Sequence, residues 1–97
     1  MVIEKSFEGG TLSIALNGRL NTNNAPLLEA ALKVDGVKDI NFDFKELNYI
    51  SSTGLKVITS AQKAVELSGG NVTIANANDT VRHVFEIMGL NDMFIFK

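Results

Sequence analysis

Hydrophobic residues in this chain recur at two spacings, one of two residues and one of three to four, and the two alternate along its length. A period of two belongs to a strand with one buried face, and a period near 3.6 belongs to an amphipathic helix. Val2 to Phe7 and Thr11 to Leu16 read as strands joined across Gly9-Gly10, a tight-turn signal. Asn21-Thr22-Asn23-Asn24 reads as a polar loop, with Asn24 capping a helix that tolerates Pro26 in its first turn. Leu27, Leu28, Ala31 and Leu32 carry the helical repeat, and Gly36 stops it. Val37 to Phe44 alternates again, placing Ile40, Phe42 and Phe44 on one face and Asn41 and Asp43 on the other.

After a predicted loop, Lys45 to Ser51, a longer helix is expected from about Thr53 to Leu67. Leu55, Ile58, Ala61 and Val65 are its apolar stripe, and Gly69-Gly70 is its end. Val72, Ile74 and Ala75 predict a strand. Asn78 predicts the cap of a last helix with Val81, Val84, Phe85 and Met88 inward, followed by Gly89 and the apolar segment Met93–Phe96. A strand buried on both faces would be continuously apolar, so the polar alternation predicts helices mainly on one face of the sheet. The expectation is an α/β single domain over residues 1–97, with a mixed sheet of four to five strands.

Ninety-seven residues allow one such core, and 45% hydrophobic with 21% charged residues excludes disordered and collagen-like classes. Cysteine is absent, which removes disulfides, thiolate metal sites and cysteine nucleophiles. Lys and Arg are scattered over a chain of net charge −2, so no stripe exists to neutralise a run of phosphates, and direct nucleic-acid binding is not expected. No apolar run approaches the ~18–20 residues of a membrane span, and Met1-Val2-Ile3-Glu4-Lys5 lacks the layout of a secretory leader. The expectation is a whole cytoplasmic protein without membrane insertion.

Chemistry concentrates in Asn48-Tyr49-Ile50-Ser51-Ser52-Thr53-Gly54-Leu55, three hydroxyl residues and a glycine at a helix entry. Helix entry leaves about four backbone N–H groups unpaired; a Ser or Thr side chain satisfies one, and the positive end of the helix dipole favours an anion. A serine here can serve as a cap, and a phosphate attached to it would be accommodated cheaply. Gly54, lacking a side chain, would let a partner's catalytic groups come close. Asp43, at a strand end near this loop, could cap its amides or orient a hydroxyl. Lys56 on the first turn could pair with a partner carboxylate or a bound phosphate, or stand as an ordinary solvated lysine. Tyr49 and Ile50 are expected to pack beneath the loop.

Serine hydrolysis lacks its supporting residues: there is no Gly-x-Ser-x-Gly elbow, and the only histidine, His83, falls beside the apolar stripe of the last helix. Metal-ligand spacings and a phosphate-binding Gly-x-x-x-x-Gly-Lys-Ser/Thr loop are missing too. The chain reads as a non-enzyme that needs no cofactor and no metal, and as the substrate of an enzyme.

The ordered set Gly18-Arg19-Leu20-Asn21, Asn41-Phe42-Asp43-Phe44, Tyr49 to Leu55, Ser68-Gly69-Gly70-Asn71 and Ile87-Met88-Gly89-Leu90 resembles the STAS domain of bacterial anti-sigma factor antagonists. The resemblance covers nearly the whole chain and implies a STAS-like fold. It also implies a partner switch: an anti-sigma factor that is also a serine kinase binds the unmodified antagonist and is released once it phosphorylates it. A serine phosphatase then resets the protein. The phosphoacceptor it implies is Ser52, and the switch surface comprises Asn21, Ser51, Thr53, Gly54 and Lys56, with Asp43 supporting the loop.

Two residues depart from the pattern. Ser51 and Asn21 stand where the family carries carboxylates, so the site is neutral where the family's is acidic. Ser51 and Thr53 are alternative acceptors. The rival reading is a STAS module that does not switch by phosphate, such as a lipid-transport accessory subunit or a scaffold component.

Overall fold

The computed structural model describes residues 1–97. Its elements in chain order are β1 (Val2–Glu8), β2 (Thr11–Leu20), α1 (Ala25–Ala31), β3 (Asp39–Ile50), α2 (Ser52–Leu67), β4 (Val72–Ala75), α3 (Asp79–Ile87), a single 3₁₀ turn (Asn91–Met93) and β5 (Ile95–Phe96). The five strands form one sheet in the order β1-β2-β3-β4-β5. Only β1 and β2 are antiparallel, as the two-glycine turn between them requires; every later pair is parallel and bridged by a helical connection. This is the predicted mixed α/β sheet, at the upper end of the expected strand number.

One face of the sheet is dry. Leu12, Ile14, Leu16 and Leu20 of β2, Ile40, Phe42 and Phe44 of β3, and Val72 and Ile74 of β4 form one cluster with Leu28, Leu55, Ile58, Val65, Val81 and Phe85 from the helices. The opposite face carries Thr11, Ser13, Asp39, Asn41, Asp43 and Thr73, none of them buried. Period-two patterning therefore sorted the residues between the faces correctly. Phe85 anchors the far end, meeting Phe94 and Phe96 edge-on at 5.3 and 5.5 Å between ring centres. Gly70 allows the chain to cross the start of β3 tightly: a Cβ there would fall 1.6 Å from the Lys38 carbonyl oxygen.

The main correction to the sequence reading concerns β3. It continues through the predicted loop to Ile50, and β2 runs on to Leu20. Pairing passes from Ala15/Asp43 to Asn17/Glu46 and from Gly18/Leu47 to Arg19/Tyr49, so β3 takes one extra residue at each step. These bulges change its inward spacing from two to three, Phe44, Leu47 and Ile50 all being buried, and that breaks the alternation a strand is recognised by.

Smaller corrections lie in the helices. α1 ends at Ala31, well before Gly36, and Leu27 on it is 59% exposed rather than core. Met88 lies just past α3 and is exposed. Asn24 precedes α1 without capping it, because its side chain turns back to the Arg19 carbonyl and the Asn21 amide.

Candidate functional site

The long β3 delivers the chain directly into α2, with Ile50 the last strand residue and Ser52 the first helical one. Ser51, between them, has an extended backbone, and its Oγ accepts the Gly54 N–H at 3.0 Å. The Ser51 amide donates to the Leu20 carbonyl at 2.8 Å, which ties the helix entry to the end of β2. Ser51 is therefore the helix cap, buried and fully engaged; it does not belong to the exposed surface the sequence reading assigned it to.

That division leaves Ser52 free. Its side chain makes none of the hydrogen bonds around the turn, the residue is exposed, and it opens a 16-residue helix with no acidic residue in its first turn. Thr53 is half-buried, and its hydroxyl lies 3.3 Å from that of Thr22, which holds the 21–24 loop against α2. Asn21 and Asn24 lock that loop reciprocally: each backbone N–H donates to the other's side-chain oxygen, at 2.8 and 3.0 Å. The Asn21 carboxamide is thus used in shaping the loop.

Gly54 has a different role from the one expected of it. It is buried, and a Cβ on it would meet Leu20 Cγ at 2.5 Å. The missing side chain serves packing between α2 and β2 rather than access for a partner.

Asp43 is not at the serine turn either. Its Oδ1 accepts from the Lys45 amide at 3.0 Å and from Asn76 Nδ2 at 3.1 Å, on the helix-free face. The Asn76 hydrogen bond, then the Lys45 amide, hold its carboxyl below the ordinary value of 3.8 against the opposing effect of burial, with the Lys45 charge contributing least. Asp43 does cap an amide, but that amide is at the bulge in β3. Lys56 is exposed one turn beyond Ser52, and Ile50 packs inward as expected. His83 is exposed on α3, 3.8 Å from Glu86, remote in sequence and element from the serine turn.

The sequence reading missed one feature. Arg19 and Tyr49 are paired across β2 and β3 one residue before Leu20 and Ile50, and the guanidinium carbon sits 4.3 Å from the Tyr49 ring centre. Tyr49, expected to pack beneath the loop, is 39% exposed and carries this cation on the sheet face opposite buried Leu20 and Ile50. Only the pairing register, which depends on the two bulges, brings the residues together.

Ser52, the residue the resemblance implies as phosphoacceptor, is exposed at the head of the helix after the third strand, whereas the capping of that helix by buried Ser51 is a finding of the structure. The family model described as "STAS domain" matches residues 2–97. The chain belongs to the STAS domain family. The match is supported by BtrV of Bordetella bronchiseptica, whose name assigns it provisionally to the anti-sigma factor antagonists; it is 38% identical over 88% of this chain and 76% of its own length. The anti-sigma-B factor antagonist of Staphylococcus aureus is 29% identical over 94% of this chain and 87% of its own.

Among solved structures, the anti-sigma factor antagonist SpoIIAA in its unphosphorylated form superposes with a TM-score of 0.85 at 23% identity, covering 99% of this chain and 88% of SpoIIAA. The phosphorylated form, from Bacillus, gives 0.78 at 22% identity, covering 99% of this chain and 91% of its own. This STAS domain therefore keeps one fold with proteins of that class, and no helix in it is long and apolar enough to cross a membrane.

Proposed function

We propose that this STAS domain is an anti-sigma factor antagonist, a regulator rather than an enzyme, and that it works by partner switching through Ser52. The observation that carries the reading is the separation of roles between adjacent serines: Ser51 is consumed as the buried cap, while Ser52 is exposed and unbonded on the first turn. In the unmodified state the turn would dock on an anti-sigma factor that is also a serine kinase. The Ser52 Oγ attacks the γ-phosphorus of the kinase's ATP, the new O–P bond forms as the bond to the β-phosphate oxygen breaks, and ADP leaves. The hydroxyl proton passes to a base of the kinase, since Asn21 and Ser51 offer none. A serine phosphatase restores the hydroxyl by transferring the phosphoryl group to water.

The physical chemistry favours a clean switch. A phosphate brings about −1.5 to −2 charges and three strong acceptors to one point. At the open end of α2 that charge faces the positive end of the helix dipole, so the fold tolerates it. In a docked interface it would have to be desolvated, and about 1.4 kcal/mol of penalty already lowers affinity tenfold.

The test is to incubate the protein with serine kinases encoded in its own genome and ATP, then to locate phosphate by mass spectrometry and measure binding. Phosphate on Ser52, with Ser52→Asp abolishing and Ser52→Ala preserving kinase binding, supports the reading. The neutral residues at 21 and 51 favour the rival, a module that does not switch by phosphate. Tight binding to a transporter ATPase subunit, unchanged by Ser52→Asp, would select it.

A further inference from the structure

The loop that leaves β2 is closed on itself. The Asn21 and Asn24 amides donate to each other's side-chain oxygens, the Ala25 amide donates to the Asn21 carbonyl at 2.9 Å, and Asn24 Nδ2 donates to the Arg19 carbonyl at 2.7 Å. The head of α2 is fixed separately, by the Ser51 amide on the Leu20 carbonyl and by Gly54 against the Leu20 side chain. A single hydrogen bond joins residues 21–24 to α2: the Thr22 hydroxyl donates to that of Thr53 at 3.3 Å. Thr53 is the neighbour of Ser52, and Thr22 stands with Asn23 on the exposed part of the loop, between half-buried Asn21 and Asn24.

We infer that Thr22 is a positioning residue for the switch: through Thr53 it fixes the 21–24 loop on the head of α2, so that the kinase meets loop and helix head as one preformed surface. The inference rests on the switch proposed above and deepens it. The loop's other hydrogen bonds cannot do this, because they begin and end within residues 19–27 and so hold its shape rather than its place on α2. A contact between two hydroxyls depends on oxygen: valine has the outline of threonine and cannot make it, whereas serine keeps the hydroxyl. One exposed neutral hydrogen bond adds modestly to stability, so the fold does not depend on it. Its effect falls on binding, where a surface segment left loose has to be ordered by the partner and the ordering is subtracted from affinity. Thr22 acts through Thr53 and takes no part in phosphoryl transfer itself.

The experiment compares the wild type with Thr22→Val, Thr22→Ser, Thr53→Val and the double variant Thr22→Val/Thr53→Val. Thermal melts and backbone amide NMR shifts are recorded on the free protein, and kcat and KM are measured for phosphorylation of Ser52 by the anti-sigma factor kinase of its own genome. Expected are melts of both Thr22 variants that match the wild type, and Thr53 and Gly54 amide resonances that move in Thr22→Val and return in Thr22→Ser. KM for Thr22→Val should rise roughly two- to tenfold, the range that loss of one net hydrogen bond gives, with kcat unchanged and Thr22→Ser close to the wild type. In the Thr53→Val background, Thr22→Val should add nothing further, since the contact is already gone. Wild-type KM in Thr22→Val, equal losses in Thr22→Val and Thr22→Ser, or full additivity of the two valine substitutions would overturn the positioning role and leave the switch standing. A raised KM that comes with a lowered melting temperature would make Thr22 merely structural and overturn it as well. If the kinase does not phosphorylate Ser52 of the wild type, the switch fails and the inference fails with it.

Discussion

A Cβ placed on Gly54 would lie 2.5 Å from Cγ of Leu20 and 2.8 Å from its Cδ2, so the first turn of α2 and the end of β2 touch at the limit of their backbones. Leu20 is fully buried and cannot swing outward. Gly54→Ala gains roughly 1 kcal/mol of helix propensity but overpacks the contact, which typically costs about 1–3 kcal/mol. The expected outcome is net destabilisation in urea titration. In a Leu20→Ala background the same change should cost less or turn favourable, because the clashing atoms are gone. Additive effects of the two substitutions would contradict the contact.

Ser51 and Ser52 should separate stability from binding. Ser51→Ala loses the cap on the Gly54 amide and should cost about 0.5–2 kcal/mol, whereas Ser52→Ala should stay within roughly 0.5 kcal/mol of the wild type. Chemical denaturation of the two variants measures the difference. Equal losses would mean that the capping role is shared.

Ser52→Asp should leave the fold intact while removing kinase binding. A carboxylate in the first turn of a helix contributes about 0.3–1 kcal/mol of stabilisation at low ionic strength, so the melting temperature should be unchanged or slightly raised. A marked fall in melting temperature would show that binding is lost through unfolding.

Asp43 should report in acid. Its folded-state carboxyl titrates below the ordinary 3.8, mainly because of the Asn76 hydrogen bond, so its contribution to stability is present above the unfolded value. That contribution is lost as pH falls from about 4 through the lowered value, where the unfolded chain takes up the proton more readily. Asp43→Asn should therefore give a flatter dependence of the urea midpoint on pH below 4 and little change in slope near neutrality. An unchanged acid slope would remove the proposed role for the Asn76 contact.

Much of the fold was written in local periodicity. The two faces of β2, the first half of β3 and β4 follow from alternation, and the bounds of α2 follow from its apolar stripe between a hydroxyl cluster and Gly69-Gly70. The Asn78 cap was legible as well, because its side chain bonds the Val81 amide only three residues away. Such features depend on residues close in the chain, whose geometry a short segment determines.

The sequence by itself therefore established the mixed α/β order of elements, the resemblance to the STAS family, and a hydroxyl cluster at the head of the longest helix. Only the tertiary structure decided which hydroxyl is buried, why Gly54 is a glycine, that Asp43 braces a bulge, and that Arg19 rests on Tyr49. The physical reason is register. Two extra residues in β3 set which of its side chains meet β2 and where the strand hands over to the helix, and that pairing joins positions some thirty residues apart through contacts no local pattern contains.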